Sequence, residues 1–103
     1  MRIIKEKTLW GYCRSSRYSV AQPSLQAWIS EVRYSDWSNP AELKASYKTA
    51  SIIGANRVVF NIKGNDFRLV VDVDYKYKII YVIWFGSHGE YDRIDVKEVK
   101  YGG

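Results

Sequence analysis

The chain has 103 residues and a mass of 12.0 kDa, which predicts a single domain, because two separate cores would each be too small to hold without staples. Its 47% hydrophobic and 26% charged residues suit a globular core, 7 Gly and 2 Pro exclude collagen-like and low-complexity chains, and one Cys excludes an internal disulfide and, with one His, a closed Cys/His zinc site. A net charge of +5 with 9 Tyr and 4 Trp is the composition of many nucleic-acid binders, and also of small proteins that bind an acidic partner.

In chain order, Met1-Arg2-Ile3-Ile4-Lys5-Glu6-Lys7 places charges where a signal peptide needs an apolar stretch. With so little cysteine this predicts a reducing, cytosolic compartment. Residues 5–14 predict a weak helix, with Leu9, Tyr12 and Cys13 at helical spacing and Gly11 inside. Cys13 falls on its apolar side, which favours packing over a nucleophilic role. A clearer helix starts near Pro23, where proline suits a first helical position. Leu25, Trp28, Ile29 and Val32 follow it as one apolar stripe. A third helix is announced by Asn39-Pro40-Ala41-Glu42, a cap, a first-position proline and a carboxylate able to reach back. It carries Leu43 and Tyr47 on one side.

The second half predicts strands. Residues 57–63 alternate with Val58, Phe60 and Ile62 on one side, and residues 67–74 with Phe67, Leu69, Val71 and Val73. Gly64-Asn65 between them is a hairpin signal. Pairing Lys63 with Asp66 sets Ile62 against Phe67, Phe60 against Leu69 and Val58 against Val71. One face is then wholly apolar, and a one-residue slip would mix the faces. The other face, predicted to look outward, holds Arg57 opposite Asp72 and Asn61 opposite Arg68. Residues 78–85 are apolar on both faces and predict a central, buried strand. The apolar run at 79–86 is far short of the ~20 residues that span a membrane. Gly86-Ser87-His88-Gly89 breaks it, and Ser87 with Glu90 repeats the capping pattern, which predicts a short helical turn carrying Tyr91 and Ile94. The expected fold class is α+β: a small antiparallel sheet with the N-terminal helices packed on one face.

The chemistry-bearing residues gather in two places. No acidic residue falls between Leu43 and Asn65, while Lys44, Lys48, Arg57 and Lys63 do. With Asn61, Asn65 and Arg68 as directional donors, this block predicts an RNA-binding wall, although a solvated basic surface or a site for an acidic protein has the same composition. His88, the single imidazole, sits in a strand-end loop, and an imidazole is the side-chain type suited to either proton-transfer role. Tyr91 lies one helical turn beyond it. Asp72 and Asp74 share a strand face and would suit Mg²⁺, but the pairing of Asp72 with Arg57 makes an ion pair the cheaper reading, and no metal site is expected.

Several stretches together resemble the HigB branch of the RelE/ParE toxins. They are Asp36-Trp37-Ser38-Asn39-Pro40-Ala41, Ala50-Ser51-Ile52-Ile53, the hairpin from Asn56 to Leu69, and Gly86-Ser87-His88-Gly89-Glu90-Tyr91-Asp92-Arg93-Ile94-Asp95. The resemblance covers residues 36–95 well and the first 35 loosely. It implies a bacterial type II toxin–antitoxin system and a RelE-like fold. The implied activity is an mRNA interferase, a cofactor-free endoribonuclease that cuts translated mRNA at the ribosome without metal, by in-line attack of a 2′-hydroxyl. A helix-turn-helix, HigA-like antitoxin would neutralise it and carry any contact with operator DNA, and no membrane is involved. The resemblance assigns Lys63 and Arg68 to a cationic cluster on the sheet and His88 and Tyr91 to a catalytic C-terminal part. It also implies an arginine on the last strand near Ile83 or Trp84, where this chain has none, leaving Arg68 as the substitute. The competing reading is a non-catalytic protein, either a ParE-like inhibitor of a protein target or an RNA-binding module.

Overall fold

The computed structural model describes residues 1–14, 18–54 and 56–99, without the side chains of Glu6 and Cys13, so the packing role expected of Cys13 lies outside the described residues. In order, the elements are β1 (Arg2–Ile4), α1 (Glu6–Cys13), a 3-10 turn (Ser19–Ala21), α2 (Gln22–Arg33), α3 (Pro40–Ser46), β2 (Ser51–Ile53), β3 (Arg57–Ile62), β4 (Phe67–Asp74), β5 (Ile79–Ser87) and α4 (His88–Tyr91). They build a five-stranded sheet in the order β1-β5-β4-β3-β2. The fold class is α+β, as the sequence predicts. No described helix is long and apolar enough to cross a membrane.

The sheet is wider than the predicted meander, and it is mixed. β1 runs parallel to β5, and β2 pairs antiparallel with β3. Each of these edge strands has three residues, too few for an alternating pattern to register in sequence. The hairpin register is the predicted one: Ile62 faces Phe67, Phe60 faces Leu69, Val58 faces Val71, Asn61 faces Arg68 and Arg57 faces Asp72. At the tip, both Lys63 (φ 54°) and Gly64 (φ 62°) are left-handed, so the turn spends a strained lysine beside the expected glycine.

β5 corrects one expectation. It lies between β1 and β4 and so is an interior strand, but β4 is the middle of the sheet. Only one of its faces is fully buried, through Ile80, Val82 and Phe85, while Tyr81 is exposed. The register shifts between Val70 and Val71, so that Trp84 stands opposite Val70, Val82 opposite Val71, and Ile83 is the extra residue of a β-bulge.

The helices cover one face of the sheet. The α2 stripe of Leu25, Trp28, Ile29 and Val32 is buried to 3% exposure or less. Each aliphatic member contributes about 1.5–3 kcal/mol by leaving water. Trp28 meets Phe60 edge-on at 5.3 Å and Tyr47 meets it at 5.1 Å. α3 starts as its sequence dictates: the Asn39 side chain accepts from the Glu42 N–H at 3.0 Å. Glu42 reaches back one residue further than a capping box, to the N–H of Ser38 at 2.7 Å.

The opposite face of the hairpin is not the open polar surface predicted. Val59 and Val70 on it are buried to 2% exposure or less, outside the main core cluster. Arg57 ties the C-terminal segment to this face by donating from Nη1 to the carbonyls of Val96 and Val99.

Candidate functional site

The hairpin tip and α4 meet at one corner of the sheet. α4 begins where β5 ends because Ser87 and Glu90 close a capping box. The Ser87 hydroxyl accepts from the Glu90 N–H at 3.2 Å, and Glu90 Oε1 accepts from the Ser87 N–H at 2.8 Å. The next residue, His88, donates its backbone N–H to the Asp66 carbonyl at 2.9 Å, which fastens α4 to the tip. The imidazole itself is about half exposed, with Nε2 3.5 Å from Asp92 Oδ2. It is thus open to a ligand while its backbone is fixed.

Across from it, Arg68 is held by the tip. Its Nη1 donates to the carbonyls of Asn65 at 2.9 Å and Phe67 at 3.2 Å, and Nη2 to Asn65 Oδ1 at 3.3 Å. The guanidinium lies 5.8 Å from the centroid of the Tyr91 ring, within cation–π range. Lys63 pairs with Asp66 at 3.2 Å on the same tip. The structure therefore brings His88, Tyr91, Arg68, Lys63 and Asn65 to one corner.

Other expected site residues lie elsewhere. Arg57 is at the far end of β3 and is engaged on all sides that matter. It grips Asp72 with Nε at 2.7 Å and Nη2 at 2.9 Å, besides holding the C-terminal carbonyls. The Asp72 bond raises the guanidinium pKa further above its ordinary value, against a smaller effect of burial. Asp72 is thereby the ion-pair partner that the register implies. Asp74 accepts from the Tyr77 N–H at 2.9 Å. Among the described residues no group of three or more His, Cys, Asp or Glu side chains is placed to hold a metal ion. Lys44 of α3 donates to the Ala50 carbonyl, and Lys48 is exposed on the loop before β2. Asn61 stands opposite Arg68 and lines a groove of about 210 Å³ with Trp28, Glu31, Tyr47 and Lys63. In that groove the Tyr47 hydroxyl donates to Glu31 Oε2 at 2.8 Å. Burial, then this bond, pushes the phenol far above its usual titration range.

Three residues near the corner escape a reading of the sequence. Tyr18 donates to Glu90 Oε1 at 2.8 Å and Oε2 at 2.9 Å, across a separation of 72 residues. Tyr12 meets Tyr18 edge-on at 5.7 Å, and burial followed by the charge of Glu90 raises its phenol pKa. Beneath them Phe67 and Phe85 stack at 5.5 Å. No local pattern marks the Tyr18–Glu90 pair. The third, Trp84, has its ring 6.2 Å from Tyr91. Its position on the outer face follows from the strand alternation only once the bulge is known.

A mixed five-stranded sheet with helices on one face is an α+β fold consistent with RelE-like toxins. The comparison with family models agrees. The model HigB_toxin, the RelE-like toxic component of a toxin–antitoxin system, matches residues 21–94. That is well over half of the chain, and the protein belongs to this family: it is the toxin of a toxin–antitoxin pair, with an antitoxin as partner. Against curated proteins the chain finds no significant match.

Proposed function

We propose that this toxin is an mRNA interferase: a metal-independent endoribonuclease of a single RelE-like domain that cuts translated mRNA at the ribosome in the bacterial cytoplasm. A helix-turn-helix, HigA-like antitoxin neutralises it. The observation that carries this reading is the 2.9 Å bond from the His88 N–H to the Asp66 carbonyl, which sets an imidazole and a phenol beside a hairpin tip bearing Arg68 and Lys63. RNA cleavage without a cofactor needs a base, an acid and cations in fixed relation. A base takes the proton of a ribose 2′-hydroxyl. The oxygen attacks the adjacent phosphorus, and the bond to the 5′-oxygen breaks as an acid protonates that leaving oxygen. His88 and Tyr91 have the chemistry for the two proton transfers. Arg68 and Lys63 stabilise the extra negative charge of the transition state. Asn65 at the tip and Asn61 on β3 extend the contact, Lys44 on α3 and Lys48 on the loop before β2 add charge farther off, and Arg57 serves the fold.

Replacing His88 tests the reading. The side chain is about half exposed, so His88→Gln is expected to leave the melting temperature nearly unchanged. Cleavage should slow by about 10²–10⁴-fold, and growth arrest on induction should vanish while RNA or ribosome binding persists. Chelators should not inhibit the wild type. A His88→Gln protein that still arrests growth at full potency removes the imidazole from the chemistry.

A further inference from the structure

The chain that follows β5 is held at both ends. From His88 to Val99 it is a succession of short turns. The Asp92, Arg93 and Ile94 N–H groups donate to the His88, Glu90 and Tyr91 carbonyls, and those of Glu98 and Val99 donate to the Asp95 carbonyl, at 2.9–3.2 Å. One end is fixed at the hairpin tip by the Ser87–Glu90 cap and by the His88 N–H on Asp66. The other is fixed by Arg57, which donates from Nη1 to the Val96 and Val99 carbonyls. Asn61, opposite Arg68, and Arg57, opposite Asp72, are four positions apart on β3, so the anchors are separated by roughly 13 Å along the sheet. Tyr91 lies between them in the chain. Ile94, Val96 and Val99 are half-buried between exposed neighbours, so the segment rests one side against the protein. The Arg57 side chain is only 15% exposed. Its fork makes four bonds at once, two to the Asp72 carboxylate and two to the carbonyls. A lysine, as a single point charge, cannot grip both sets.

We propose that the Arg57–Asp72 pair is a positioning latch: it pins the far end of the segment after α4 and so fixes His88 and Tyr91 in relation to Arg68 and Lys63. This rests on the ribonuclease reading and adds a residue that acts on the reaction through the chain, without touching RNA. A one-turn helix frays at whichever end is left unheld, because its last carbonyls have no partners within the helix. With Val96 and Val99 released, the turns from Tyr91 onward regain backbone freedom and the phenol samples positions away from the tip. A displacement of about 1 Å at a reacting group is enough to cost about 10² in rate. Asp72 has its own part in the latch. By taking Nε and Nη2 from the neighbouring strand it sets the plane of the guanidinium and leaves Nη1 directed at the two carbonyls.

Amide exchange and steady-state cleavage kinetics on the intact protein test the latch. Arg57→Lys keeps the charge and loses the fork. Its amides from Asp92 to Val99 should exchange about tenfold faster while those of β3 and β4 hold. Its kcat should fall about 10–100-fold with KM unchanged. Asp72→Asn keeps the carbonyl bonds but removes the charge that aims the guanidinium. It should move both readouts the same way by less, and it serves as the second variant if Arg57→Lys folds poorly. Val58→Ala weakens the same strand from its core face, so it should lower the melting temperature yet keep wild-type kcat well below that temperature. Wild-type exchange over Asp92–Val99 in Arg57→Lys overturns the latch, as does faster exchange with wild-type kcat. A Val58→Ala protein that loses as much kcat as Arg57→Lys overturns it in favour of plain stability, and a raised KM at unchanged kcat in favour of direct RNA contact. In all of these the ribonuclease reading stands. A wild type that cleaves no RNA overturns both.

Discussion

Glu90 holds the corner together at the scale of a single residue. Its carboxylate closes the cap of α4 and accepts the Tyr18 hydroxyl on both oxygens. His88 and Tyr91 ride on the helix so capped, and α4 spans only His88–Tyr91, too short to hold itself. Tyr18→Phe removes one hydroxyl and leaves the carboxylate among aromatic rings. A hydrogen bond to a charged acceptor in a half-buried setting is worth about 1–2 kcal/mol. The variant should therefore melt measurably lower, exchange the amides of α4 faster, and cleave more slowly with RNA affinity unchanged. Wild-type exchange at α4 would show that the pair does not brace the helix.

The hairpin of β3 and β4 has two faces with separate duties. Phe60 is 1% exposed between Trp28 and Tyr47, so Phe60→Ala should cost about 3–5 kcal/mol through a cavity, and activity should go with the fold. Arg68 is on the other face, hydrogen-bonded to Asn65 and Phe67 and set against the Tyr91 ring. Arg68→Ala should fold and melt near the wild type while cleavage falls by about 10²–10³-fold, the usual effect of removing one preorganised donor. Denaturant unfolding alongside an RNA cleavage assay separates the two. Equal destabilisation by both substitutions would contradict the two-faced arrangement. The same register explains Arg57: it faces Asp72, so its charge is spent inside the protein on an ion pair and on two carbonyls.

Over the whole molecule the excess charge is +5, and binding to a polyanion should follow it. If about four to six cations contact phosphates, log K for single-stranded RNA should fall against log salt with a slope of roughly −3 to −4. Lys44 and Lys48 lie on α3 and the loop before β2 rather than at the hairpin tip. Replacing both with Gln should weaken binding to all sequences alike and bring the slope nearer zero by about 1.4. An unchanged slope would put the RNA on another part of the surface.

The sequence by itself determined the features that close between near neighbours. The α2 stripe shows its period within one window, and the caps at Asn39 and Ser87 each close within three residues. The register of β3 and β4 follows from two alternating runs joined by a tight turn. His88, Tyr91 and Arg68 stood out because residue type and spacing mark them locally. Only the tertiary structure decided what meets across long separations. β1 adds to β5, Tyr18 reaches Glu90, Arg57 takes the carbonyls of Val96 and Val99, and Trp84 turns toward Arg68 over Gly86. None of these has a period or a turn to announce it. Each exists because burial of one shared core fixes where distant segments lie, and their polar and aromatic groups then pair with whatever that packing brings within reach.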